Sequence, residues 1–197
     1  MLDPKFVIVG ALFNLAGSSG YVIDTLKGST KPNRITWVLW ALAPLIAFGA
    51  EIHEGVGLQS LMTFMVGFGP LLVVIASFIN KKSVWKLTRF DFVCGALSLL
   101  GLLLWLLTRH GNIAIAFSIM ADGLAAAPTV VKSWKEPETE SYLVFLFAAI
   151  SATITLLTID TWNFAHVGFP IYILGICGLL FALIKFKLGK RLTFANN

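Results

Sequence analysis

Seven stretches of mostly apolar residues, at 6–24, 35–51, 58–79, 90–108, 113–131, 142–159 and 168–186, take up most of this 197-residue chain. A helix needs about 20 such residues to cross roughly 30 Å of hydrocarbon, and each stretch reaches or approaches that length. With 57% hydrophobic residues, 13% charged residues and a mean hydropathy of +0.85, the composition is incompatible with a water-soluble domain of this size. The expectation is one all-α integral membrane domain spanning 1–197, with seven transmembrane helices. The first stretch is expected to be a retained helix, because Asp3 and Lys5 make a poor basic flank for a signal peptide.

Charge decides how such a bundle sits, since Lys and Arg near helix ends stay on the cytoplasmic side. Lys27, Lys31 and Arg34 follow the first stretch, Lys81, Lys82, Lys86 and Arg89 the third, Lys132 and Lys135 the fifth, and Lys185, Lys187, Lys190 and Arg191 the seventh. Lys5 and Arg109 alone fall on the other side, together with Glu51, His53, Glu54, Asp160 and His166. The N-terminus is therefore expected outside and the C-terminus in the cytoplasm. The net charge of +5 reads as topology, and no nucleic-acid partner is expected.

The chain also repeats itself. An offset of 105 positions brings Pro137 onto Pro32, Lys132 onto Lys27, Tyr142 onto Trp37 and Phe145 onto Trp40. Each copy ends a helix at a lysine, turns through a Lys-x-x-x-x-Pro loop that resists helix continuation, and restarts with aromatics at i and i+3. Repeat one then covers 6–79 and repeat two 113–186. Three helices is an odd number, so the stretch at 90–108 is needed as a linker to give both repeats the same orientation. Parallel repeats of this kind enclose a central pathway.

This three-plus-one-plus-three plan resembles the PQ-loop proteins, which include the SWEET sugar transporters. The segment Ala127-Pro128-Thr129-Val130-Val131-Lys132-Ser133-Trp134 resembles the end of a PQ-loop helix, with Thr129 in place of glutamine. The resemblance implies alternating access, with Pro128 and Pro44 in hinge positions that Ile23 and Ala149 leave unfilled in the other copies. It also implies a small-solute substrate. The asparagines that typify a sugar site on the third and seventh helices are missing, with Thr63, Tyr172 and Thr153 nearest in kind. A weaker likeness links Trp37-Val38-Leu39-Trp40 to a signature of nicotinamide riboside importers with the same fold.

Asp122 stands out among candidate functional residues, because Ile113 to Met120 precede it and Gly123 to Ala127 follow. Insertion scales put a charge at that depth at about 2.5–3.5 kcal/mol, so such residues face a partner or a polar cavity and mark ion or proton pathways. The lysosomal cystine exporter, a proton-coupled PQ-loop protein, also has an aspartate on this helix, which strengthens a proton-coupling role. Asn14 and Ser18 lie on the first helix beside Gly17, the repeat counterpart of Asp122, and are the other expected substrate-binding residues. Gly17 and Gly20 themselves read as packing residues that let helices approach. Asp24 and Asp91 read first as surface ion-pair partners, with Asp24 also a candidate gate. Trp37 and Trp40 read as interface anchors. Pro70 is expected to bend the third helix, while Pro170 reads as a first-turn proline.

Cys94 and Cys177 read as small core residues. Glu51, His53 and Glu54 with Asp160 and His166 read as solvated loops, a divalent metal needing both loops to converge. Hydrolase, zinc-protease and phosphate-loop motifs are absent, so no enzyme activity, cofactor or metal is expected. A retinal-binding pump would need a lysine midway along the last helix, and Lys185 lies at its end. The expected partners are the lipid bilayer and a small-molecule solute, with a homo-oligomer left open. The rival expectation is a non-transporting receptor or assembly protein on the same scaffold, as in the KDEL receptor. Short tails without targeting signals point to a prokaryotic cytoplasmic membrane.

Overall fold

The computed structural model describes residues 2–83, 85–108 and 111–195, and Arg109 of the charge count lies outside them. Each expected stretch corresponds to one helix: α1 (Phe6–Lys27), α2 (Arg34–His53), α3 (Ser60–Ile79), α4 (Arg89–Thr108), α5 (Gly111–Lys135), α6 (Tyr142–Thr158) and α7 (Phe164–Phe186). Short 3-10 turns at Gly57–Gln59 and Pro137–Thr139 precede α3 and α6, and an unexpected amphipathic α8 (Leu188–Ala195) follows α7. Among the described residues there is no strand. The segments α1, α2, Gly57–Ile79, α5 and α7 are long and apolar enough to cross a bilayer, whereas α6 is apolar but has only 17 residues. Leu12, Phe78, Phe92 and Leu103 are each more than half exposed, which hydrocarbon tolerates and water does not.

Sequence explains the helix ends. Gly28 closes α1 at φ 84°, a left-handed conformation that a side chain disfavours, and its N–H bonds back to the carbonyls of Asp24 and Thr25. Asn33 caps α2 by accepting from the N–H groups of Ile35 and Thr36. Asn163 caps α7 by accepting from His166 N–H. Pro44, Pro70, Pro128 and Pro170 all lie inside helices. Pro170 is thus not a first-turn residue: Asn163 starts α7 four residues earlier than the apolar pattern does.

In the packing, α3 contacts both α1 and α2, and α7 contacts both α5 and α6. The two triplets meet where α1 lies on α6 and α2 lies on α5, while α4 packs on α5 and α2. Small residues permit the closest approach: a Cβ on Gly10 would come 3.1 Å from Ser151 Oγ, and one on Gly17 would come 3.1 Å from the Cα of Val144.

Loop contacts define two ends of the bundle. At one, Lys31 N–H donates to Thr139 carbonyl at 3.1 Å, Trp85 N–H to Pro32 carbonyl at 3.2 Å, and Lys190 pairs with Glu138 at 2.7 Å. Arg34 also joins here, donating to Ser77 carbonyl at 2.5 Å and lying 4.4 Å from the Phe78 ring centroid. At the other, Leu2 N–H donates to Leu157 carbonyl at 2.9 Å and Gln59 to Thr158 carbonyl at 3.3 Å. The first is the basic end, where the lysine-rich segments gather.

Candidate functional site

Between the triplets lies a narrow cavity of about 50 Å³, well below the roughly 300–1,000 Å³ of small-molecule sites, so as it stands it has room only for water-sized groups. Helix α1 lends it Asn14 and Ser18, one turn apart on one face, and α3 lends Val66 and Pro70. Trp37 and Trp40 come from α2, Asp122 from α5, Phe145 from α6 and Cys177 from α7. Gly69 makes the α1 face possible, because a Cβ there would lie 2.1 Å from Ser18 Oγ and 3.5 Å from Asn14 Oδ1.

The polar groups of this cavity are largely unspent. Asp122 is 2% exposed. Its Oδ2 accepts from the Tyr172 hydroxyl at 2.5 Å, while Oδ1 is buried without a partner among the described residues. Its main-chain carbonyl accepts from the Trp40 indole N–H at 3.3 Å. Asn14 and Ser18 are buried and make no side-chain hydrogen bond among the described residues. Buried polar groups are as a rule bonded, so unpaired ones around one space mark where a ligand or water supplies the partner. Ser118, Thr129 and Ser133 continue the Asp122 face of α5, each with a buried hydroxyl lacking a partner among the described residues.

Toward the basic end the cavity is plugged. Trp37 lines it, and the Tyr21 ring lies 4.4 Å beyond, centroid to centroid. The Tyr21 hydroxyl donates to Glu140 at 2.6 Å, and Glu140 pairs with Lys132 at 2.6 Å, both charges fully buried. Lys132 also donates to the Lys31 carbonyl and lies 4.9 Å from the Trp85 ring centroid. One lysine thus ties α5 to the loops that follow α1, α3 and α5.

The expected substrate residues Asn14, Ser18 and Asp122 therefore share one cavity, and Pro70 joins them. Pro44 and Pro128 are buried inside α2 and α5, away from the cavity lining. Asp24 makes no ion pair among the described residues; its carbonyl accepts from Ser29. Other expectations are corrected. Trp37 and Trp40 are buried at the cavity, so neither anchors at the interface. Asp91 is buried rather than surface-paired, accepting from Asn33 at 2.5 Å and from the Thr88 hydroxyl at 2.6 Å. Glu51 belongs to the last turn of α2 and is 1% exposed, accepting from Thr63 at 3.0 Å. Lys132 is not a solvated loop charge. Glu140 and Tyr21 were not anticipated at all, and neither was the serine and threonine stripe on α5, although its spacing of 4, 7 and 4 residues is a readable helical signal. Among the described residues no group of three His, Cys, Asp or Glu could hold a metal.

Fold and site together define a protein of membrane type, helical with no strand among the described residues, with a mostly apolar internal cavity that carries Asn14, Ser18 and Asp122. No protein-family model matches the chain, and neither a curated protein nor a solved structure is significantly similar to it.

Proposed function

We propose that this protein is a small-solute transporter working by alternating access, with proton coupling through Asp122. The observation that carries the reading is the cavity between the triplets, whose central carboxylate has one oxygen unpaired and whose basic end is plugged. The packing supports a duplicated architecture: exchanging α1, α2 and α3 for α5, α6 and α7 turns the α1–α6 contact into α5–α2 and leaves α3 and α7 central to their triplets. On this reading the seven helices are spans arranged on the PQ-loop plan, with α4 as linker. The gathering of Lys27, Lys31, Arg34, Lys81, Lys82 and Arg191 near one end supports a cytoplasmic basic end and an outside N-terminus. Transport would then rock the triplets so that the cavity opens to each side in turn.

Cys177 is a native reporter of this motion, because it lines the cavity. In a Cys94→Ser variant, membrane-impermeant maleimide applied to oriented vesicles is expected to label Cys177 from both faces. Labelling from one face only, unchanged when the plug is broken by Lys132→Met, would sink the transport reading and favour a receptor that never opens through.

A further inference from the structure

We infer that the solute is a monovalent organic cation with a flat, apolar body, which Asp122 binds in exchange for a proton; this rests on the transport reading above. Among the described residues the cavity lining contains one carboxylate and no Lys, Arg or His. A carboxylate in such a place needs a countercharge or a proton, since burying an unpaired ion costs several kcal/mol. The nearest buried cation, Lys132, lies ten residues along α5 and is committed to Glu140. Tyr172 supplies a hydrogen bond to Asp122 but no charge. Among the described residues the other titratable group at Asp122 is Cys177, also of α7; α2 faces it with Trp40, and α4 places Ser98 on the neighbouring Ala121 carbonyl. The positive partner must come from outside the protein.

At about 50 Å³ the cavity is too small for such a solute as it stands, so the triplets must part to admit it, and the walls they then present specify the rest of the ligand. Trp37 and Trp40 stand 5.4 Å apart edge to face, and Phe145 lies 6.0 Å from Trp40. Such faces attract a cation through the ring quadrupole and pack against a planar apolar group. Asn14 and Ser18, opposite on α1, offer donors and acceptors to a single polar substituent. A carboxylate or phosphate on the solute would meet Asp122 with nothing to compensate it, so anions are excluded. When the cation enters, Asp122 gives up its proton to water at the open face, and the ammonium takes that place at Oδ1.

The test uses the full-length protein in detergent, with benzyltrimethylammonium as a probe whose charge is fixed at every pH. Neutral 2-phenylethanol and anionic phenylacetate serve as companions of similar bulk. Binding is read by tryptophan fluorescence between pH 5.5 and 8.5. Saturable binding of the cation alone is expected, tightening by up to about tenfold per pH unit where Asp122 titrates. Asp122→Asn, which can keep the Tyr172 contact, is expected to weaken the cation at least 100-fold and abolish the pH dependence. A thermal melt close to that of the parent shows that this variant is folded. Saturable binding of the alcohol or the anion but not the cation would overturn the cation class while leaving a solute site intact. Failure of all three probes would also overturn it, and Cys177 labelling would then judge the transport reading separately.

Discussion

Two buried carboxylates meet the same electrostatic demand in opposite ways. Glu140 is neutralised on the spot by Lys132 and hydrogen-bonded by Tyr21, whereas Asp122 has one hydroxyl partner, no countercharge and, among the described residues, an unpaired oxygen. The difference is measurable. Lys132→Met strands a buried charge at Glu140 and is expected to cost about 3–5 kcal/mol, as for other broken buried pairs. Adding Glu140→Gln should return a large part of that, and thermal melts over the double-mutant cycle check it. Glu138 makes the contrast. The Lys190 ammonium, hydrogen-bonded to it, holds its carboxyl well below the usual range, at about 2. A depressed carboxylate stabilises above its unfolded value of about 4.3, and the contribution disappears as pH falls through the folded value. Because this pair is half exposed, Glu138→Gln is expected to cost less than about 1 kcal/mol at pH 7. Asp122 was legible in the sequence because a lone acid among apolar residues is conspicuous. Glu140 was not, since between Lys132 and Ser141 every charge reads as solvated, and only the folded loops show that water is excluded there.

Among the elements, the apolar pattern located all seven long helices but not their ends. Capping residues decide the ends, and they are polar: Asn33 and Asn163 each pull a helix start back past the apolar stretch. That shift carries Pro170 into the second turn of α7. At its far end α2 runs two residues past the apolar stretch, to His53, and Thr63 of α3 donates to one oxygen of the buried Glu51 there. The α8 helix escaped notice because its eight residues, Lys190 and Arg191 among them, are too few and too polar for a span. Glycines work at the contact between elements. Gly69→Ala would thrust a methyl onto Ser18, so α1 and α3 must separate or the hydroxyl must turn into the cavity. Overpacking of this sort costs about 1–3 kcal/mol. The variant is expected to lose ligand affinity beyond its loss of stability, checked by comparing fluorescence titrations with melts. Gly20→Ala, with nothing within 4 Å of the added carbon, is the control expected to change neither.

For the molecule as a whole, the plug and the cavity are one mechanical chain running from Trp37 through Tyr21 and Glu140 to Lys132. Tyr21→Phe removes a hydrogen bond to a charged group, a contact worth about 1.5–3 kcal/mol. If that bond holds only the closed form, the open population rises about tenfold or more. Maleimide labelling of Cys177 from the basic face, in the Cys94→Ser background, is expected to accelerate by that factor. The 105-residue offset pointed to a two-repeat plan, yet it did not show how differently the matched positions are used at the centre. Gly17 lies against α6, whereas Asp122, at the matched position, holds the only carboxylate in the cavity lining among the described residues. On the proposed transport reading, that single carboxylate would set the energetics of the cycle. If one proton leaves for each monovalent cation that enters, the turnover moves no net charge, and the membrane voltage can do no work on it. Accumulation would follow the pH gradient alone, about 1.4 kcal/mol and tenfold per unit, and would persist when the voltage is collapsed with the gradient kept.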